Sequence, residues 1–324
     1  MLDVIIALLP ALAVSVYFFG LRSLIMVVIS AASSVAFEAA YQLLLKKKVT
    51  VGDLSATVTG ILIAYNLPVT APYWVPVVGS LFAIVIAKQL YGGIGKNFMN
   101  PALAARAFLL FSFPTMMTTF VRPFSELQLG MNVDAVSAAT GVDGITMATP
   151  LSYLKNGVLP PESEFSLFQM LIGQVPGTVG ETPALVLLFG GLYLLVRRVI
   201  NARIPLAFIG TVAVITYIFP PEGIDSMQWM LYSLLSGGLI LGAVFMATDY
   251  STSPVNPAGQ WIFGAGCGIL TVIIRYFGAY PEGASYAIIL MNCLTWLIDK
   301  GTRPRRFGSK FSLFKKRESK GGSK

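Results

Sequence analysis

"GILIAYNLPVTAPYWVPVVGSLFAIVIAKQLYGG" (residues 60–93) is the stretch on which the fold turns. An apolar run stops at Asn66-Leu67-Pro68, restarts after a proline-rich step and ends on an aromatic-Gly-Gly turn. The first run is shorter than the roughly 20 apolar residues a membrane crossing needs. Interrupted apolar segments of this kind mark half-helices that end near the middle of a bilayer. Residues 242–283, "GAVFMATDYSTSPVNPAGQWIFGAGCGILTVIIRYFGAYPEG", follow the same plan, with the break at Thr248-Asp249-Tyr250.

The surrounding chain has the matching character. Of its 324 residues, 55% are hydrophobic and only 12% charged, with a mean hydropathy of +0.73. A soluble chain of this length needs far more surface charge. Ten spans are expected, near 4–20, 23–45, 54–67, 74–91, 101–113, 183–197, 204–219, 229–247, 258–277 and 284–298. Five precede a long polar segment and five follow it, so the second set is expected to be inserted upside down relative to the first. The fold class is therefore an all-α polytopic membrane protein with two inverted five-helix repeats. Residues 1–113 form the first repeat, 114–182 a loop, 183–299 the second repeat and 300–324 a basic tail.

Orientation follows from lysine and arginine. Lys46, Lys47, Lys48, Lys96, Arg197, Arg198, Arg203 and the ten basic residues between Lys300 and Lys324 all fall on one side if ten spans are counted. The positive-inside rule makes that side cytoplasmic, with both termini inside and 114–182 outside. The basic tail reads as an orientation signal drawn to anionic lipid, and no nucleic-acid-binding pattern accompanies it. The start, Met1-Leu2-Asp3, lacks a positive leader and cleavage site, so a retained first helix is expected. Cys267 and Cys293 lie within apolar runs and read as small core residues. Trp74, Tyr91, Trp229 and Trp296, at span ends, read as an interfacial belt. Histidine is absent. Redox chemistry in this chain would need a cofactor that requires no His or Cys ligand.

The outer segment contains "DAVSAATGVDGITMATPLSYLK" (134–155), which spells Asp-x-x-Ser/Thr-x-Ala-Thr twice, at Asp134–Thr140 and Asp143–Thr149. Thr149 before Pro150 also reads as an ordinary helix N-cap. The two readings are compatible, because a phosphate esterified to that hydroxyl would sit where a helix start favours anions.

The doubled word resembles the recognition motif of the bacterial transferase that moves FMN from FAD onto a threonine. With "GIGKNFMNPALAARAFLLFSFP" (93–114), "IGQVPGTVGETPALVLL" (172–188), "MATDYSTSPVNPAGQ" (246–260) and "EGASYAIILMNCLTWLID" (282–299), the chain resembles the family of the Rnf complex's D component and the B component of the sodium-pumping NADH:quinone reductase. The resemblance covers nearly the whole chain. It implies a fold like urea and ammonium transporters, FMN in phosphoester linkage to an outer threonine, and a non-covalent riboflavin. It also implies the A, B, C, E and G components of the Rnf complex as partners, a flavin transferase for maturation, and the bacterial cytoplasmic membrane as location.

Thr149 is the expected attachment residue, since it alone is followed by Pro-Leu as in the family. Asp143 and Thr146 would be recognition residues and Thr140 the fallback; the usual motif glycine is replaced by Ala138 and Met147. Asp249 with Thr248 and the following hydroxyls would hold a sodium ion or the ribityl hydroxyls of riboflavin, and equally reads as a capped helix break. Asn97, Asn100 and Pro101 form the matching break of the first half, with Arg106 one turn on. Gly180 and Glu181 would cap the sixth span beside a flavin, while Glu38 and Arg275 are expected to be paired or near the interface rather than catalytic. No nucleotide fingerprint or cluster motif is present, so NAD and iron–sulfur chemistry would lie on other subunits. The expected function is electron transfer coupled to Na⁺ or H⁺ transport in a ferredoxin:NAD⁺ oxidoreductase, the chain being one subunit of an enzyme. A flavin-free urea- or ammonium-type channel or transporter, and a scaffold with a degenerate flavin site, are the alternatives.

Overall fold

The computed structural model describes residues 1–124, 148–181, 184–278 and 282–303. Among these residues the chain is helical, with one isolated antiparallel bridge, Pro68 to Thr178. The first half runs through α1 (Leu2–Phe19), α2 (Leu21–Leu44), α3 (Ser55–Tyr65), α4 (Trp74–Leu81, continuing as a π-helix Phe82–Gln89) and α5 (Pro101–Ser112). Short helices α6 (Pro114–Thr118), α7 (Pro150–Lys155) and α8 (Leu167–Ile172) follow. The second half runs through α9 (Ala184–Val196), α10 (Arg203–Ile218), α11 (Ser226–Leu235) and α12 (Leu239–Leu241, continuing as a π-helix Gly242–Met246). It ends with α13 (Pro257–Phe277) and α14 (Ala284–Thr302).

By length and composition, α1, α2 and α13 are long and apolar enough to cross a membrane, and the bent pair α11–α12 is a fourth if taken as one span. That pair was expected as one continuous span. It turns by 65° at Ser236-Gly237-Gly238, where the chain escapes helical geometry through a positive φ at Gly237. Helix α3 has 11 residues and α5 has 12, so each reaches only about 16–18 Å at 1.5 Å per residue. Large apolar side chains such as Phe111 of α5, Phe189 of α9 and Leu206 of α10 point outward, as on lipid-facing helices.

Water is not there to drive helices together in a bilayer, so close packing and hydroxyl bridges must do it. The protein uses both. Gly60 lets α3 touch α2 backbone to backbone, and Ser30 in α2 donates to the Gly60 carbonyl (2.7 Å) while Ser80 of α4 donates to the Ser30 carbonyl (3.1 Å). Gly264 and Gly268 do the same for α13 against Ala207, Phe208 and Thr211 of α10. The non-helical break after α3 is satisfied by Arg22 of α2, whose Nε donates to Val69 O (2.7 Å) and Nη2 to Ala71 O (3.2 Å).

Two expectations need correction. Trp229 belongs to no interfacial belt: it is buried, packing with Leu151, Leu154, Phe165 and Tyr232, and its Nε1 donates to the Tyr276 hydroxyl (2.8 Å). Cys293 is exposed on α14, whereas Cys267 is buried as expected.

Gly60→Ala places a Cβ 2.6 Å from both Ala31 Cα and Ser30 O. Overpacking of this kind costs about 1–3 kcal/mol. Thermal unfolding in detergent is expected to show a lowered midpoint for Gly60→Ala. Gly210→Ala, which meets nothing within 4 Å, should leave it unchanged or raised.

Candidate functional site

Two interrupted segments, one from each half, end against each other. Asn100 caps α5: its Oδ1 accepts from Ala102 N (3.0 Å) and Leu103 N (3.4 Å), with Pro101 at the first helical position. Its Nδ2 donates to Met246 O (3.2 Å), the last residue of the π-helix in the other half. Asn292 of α14, with its amide turned, donates to Thr252 O (3.2 Å) and accepts from Asn100 N (3.1 Å). Asn66 at the end of α3 donates to Leu62 O (2.6 Å) and accepts from Arg106, whose guanidinium also pairs with Glu282.

Below this junction lies a cleft of about 720 Å³, mouth included, with a free interior of about 80 Å³. Its walls include Thr59, Lys88, Asn97, Asn100, Thr248 and Asp249. Four sequence-predicted residues (Asn97, Asn100, Thr248 and Asp249) therefore share one cavity. Asp249 accepts from Ser251 Oγ (2.9 Å) and Thr252 Oγ1 (3.3 Å). Asn97 donates from Nδ2 to Met99 O (3.2 Å), and its Oδ1 is buried without a partner. Buried acceptors of this kind are rare and call for a ligand or water. Among the described residues no group of three acidic or cysteine side chains is placed to hold a metal ion.

The same wall carries a buried ion pair. Glu38 of α2 is 1% exposed and Lys88 is 3% exposed. Lys88 Nζ lies 2.9 and 3.0 Å from the two Glu38 oxygens and 2.6 Å from Ser55 Oγ. Glu38 also accepts from Gln89 Nε2 (2.7 Å) and Gln42 Nε2 (3.4 Å). Pairing of Glu38 was expected, but not Lys88 as its partner or as part of the pocket. The available signal was one lysine inside the apolar run "FAIVIAKQL".

Gly180 and Glu181 lie elsewhere, at the opposite end of α3. Gly180 N donates to Tyr65 O (2.9 Å) and Val179 N to Leu67 O (3.0 Å), so this turn pairs with the break after α3. Glu181 accepts from Thr178 Oγ1 (3.1 Å). A Cβ on Gly237 would stand 3.5 Å from Glu181 Oε1 and 3.4 Å from Arg275 Nη2, which puts both charges beside the α11–α12 bend. Arg275 is buried and tied to carbonyls, its Nη1 on Ser233 O (2.6 Å) and Nη2 on Ser236 O (2.8 Å).

Thr149 stands at the start of α7 with Pro150 following, but its side chain makes no cap hydrogen bond. The residue is partly exposed, and its carbonyl accepts from Ser152 N (2.9 Å). Helix α7 is anchored from below by buried Leu151 and Leu154, and Lys155 Nζ donates to Arg275 O (3.0 Å) and also to Gly278 O at the end of α13. Thr140, Asp143 and Thr146 lie outside the described residues.

The model of the NQR2, RnfD, RnfE family matches residues 1–308. Over 312 residues the chain is 50% identical to the D component of the Na(+)-translocating ferredoxin:NAD(+) oxidoreductase complex of Acetobacterium woodii, covering 95% of this chain and 90% of that protein. It is 41% identical over 324 residues to the D component of the ion-translocating oxidoreductase complex of Stutzerimonas stutzeri, covering 95% and 91%. It is 40% identical over 317 residues to the D component of the proton-translocating ferredoxin:NAD(+) oxidoreductase complex of Clostridium ljungdahlii, covering 96% and 91%. Together with the apolar helices, these relatives describe a membrane-embedded protein.

The junction predicts a graded response at Asn100. Asn100→Ala loses both the cap and the tie to Met246 and is expected to cost about 1–3 kcal/mol, the cap alone contributing roughly 1 kcal/mol. Asn100→Ser, which restores an N-cap acceptor, should recover part of the unfolding midpoint lost by Asn100→Ala.

Proposed function

This chain belongs to the NQR2, RnfD, RnfE family, and from that premise we propose that it is the RnfD component of an ion-translocating ferredoxin:NAD⁺ oxidoreductase of the Rnf type. It passes electrons between a covalent FMN on Thr149 and a riboflavin, and the electron flow drives Na⁺ or H⁺ across the bacterial cytoplasmic membrane. The chain crosses the membrane ten times as two inverted five-helix repeats, with 114–182 outside and both termini inside. The A, B, C, E and G components complete the complex, and a flavin transferase matures the chain.

The observation that carries the redox reading is the cavity uniting Asn97, Asn100, Thr248 and Asp249 between the two interrupted segments. Its wall offers an unpartnered acceptor, Asn97 Oδ1, and several hydroxyls. Those groups suit a flavin's polar edge and ribityl chain, which need hydrogen bonds rather than metal ligands. The flavin would supply the redox chemistry. The protein would hold and orient it and keep water away. Asp249, with the hydroxyls of Ser251 and Thr252 already on it, would be a place where a sodium ion could be held by oxygen ligands.

At the other end of the molecule, Thr149 has a hydroxyl free of cap duty on a helix fixed to α13, which suits a covalent tether. Asp143 and Thr146 would be the recognition residues of the proposed attachment motif and Thr140, in the first copy, the fallback attachment residue, and Gly180 with Glu181 would border the outer flavin. A urea- or ammonium-type channel or transporter is the second reading, favoured by the same interrupted helices.

Mass spectrometry of protein co-expressed with the flavin transferase separates these. A gain of one FMN that disappears in Thr149→Val and persists in Thr140→Val is the expected result. Extraction should also release riboflavin from the wild type, with a reduced yield from Asn97→Ala. Protein that carries neither flavin beside a demonstrably active transferase, yet conducts solute, would replace the redox reading with the channel.

A further inference from the structure

We propose that Lys88 is the charge that compensates an electron arriving in the cavity, and that Glu38 behind it sets how much of that charge the occupant feels. The proposal rests on the reading of the cavity as a riboflavin site. Lys88 lines the cavity and Glu38 does not. The Lys88 ammonium lies within hydrogen-bond distance of both Glu38 oxygens (2.9 and 3.0 Å) and of Ser55 Oγ (2.6 Å), and the side chain forms part of the cavity wall. Glu38, by contrast, is saturated by Lys88, Gln89 and Gln42. The pair is therefore polar in a useful sense: its positive end is at the wall and its negative end is sealed in the protein.

Stability gives little reason for this arrangement. A buried ion pair gains about as much from attraction as it loses in desolvation, and well-packed apolar residues often do as well. Lys88 and Gln89, which both contact Glu38, also lie in a π-helix. Such bulges are frequent at functional sites. The partly buried Asp249 shares the cavity wall with Lys88, as does Asn97, whose Oδ1 has no partner of its own.

When a flavin takes one electron from a reduced centre on a neighbouring subunit without a proton, no bond forms or breaks and the ring gains one negative charge. In a site screened from water, a nearby ammonium stabilises that charge far more than it would in solution. Lys88 is thus a positioning charge for the reduced state, and Glu38 attenuates it.

Spectroelectrochemical titration tests this in a Thr149→Val background, where only non-covalent flavin reports, after the riboflavin content of each protein has been measured by extraction. Glu38→Gln unmasks Lys88 and is expected to raise the midpoint. Lys88→Met/Glu38→Gln removes the pair as a unit, leaves no unpaired buried charge and is expected to lower it. Each shift should be on the order of tenfold in the reduction equilibrium, about 59 mV for one electron. Shifts in the same direction, or none, with riboflavin fully retained would overturn the role of Lys88 alone. Absence of riboflavin from the parent protein would overturn the cavity reading and this inference together.

Discussion

The rest of the structure depends on how unpaired backbone is satisfied where two short apolar helices stop inside the protein. In hydrocarbon every free N–H and C=O must find a protein partner. The chain solves this by aiming its interruptions at one another: Asn100 caps α5 and binds the Met246 carbonyl, while Arg22 collects the carbonyls of the break after α3. Asn66, Arg106 and Glu282 extend the same set of polar contacts upward. Once the two breaks are tied, α3 and α5 have no need to be long, and the space they leave becomes the cavity. The pocket is a by-product of the way the backbone is satisfied.

This explains why the polar residues fall into two groups. Those at the cavity are short amides and hydroxyls suited to hydrogen bonding, with one cation and one carboxylate on its walls. Those at the other end, Glu181, Arg275, Arg106 and Glu282, are charged and crowd around the Gly237–Gly238 bend. Helix α3, some 16 Å long, separates the two groups, so Gly180 and Glu181 share no site with Asn97 and Asp249 even though both sets were read as cofactor-binding.

Much of this was legible because Pro, Gly and Asn punctuate the apolar runs. The helices lie within a few residues of the expected spans, and the breaks at Asn66 and Thr248 stand where those residues interrupt hydrophobic sequence. What stayed hidden required knowledge of distant partners. Lys88 meets Glu38 from within a π-helix, whose register a 3.6-residue reading does not foresee. The 65° bend is written as Ser-Gly-Gly, yet glycines also occur unbent in α13. Trp229 at a span end resembles an interfacial residue until α7 and Phe165 cover it. The pairing of Val179 and Gly180 with the end of α3 joins segments more than a hundred residues apart, and no local pattern announces it.

Lys155 has a mechanical consequence. By binding the carbonyls of Arg275 and Gly278, it makes α7 and the C-terminal end of α13 a single body. Helix α13 in turn meets α10 through glycine contacts that leave no slack. Thr149, at the start of α7, is thereby fixed relative to α13 and through it to the second half of the protein. Helix α13 begins at Pro257, in the segment that follows Asp249, so the Lys155 contacts connect α7 through one helix to the part of the chain that lines the cavity.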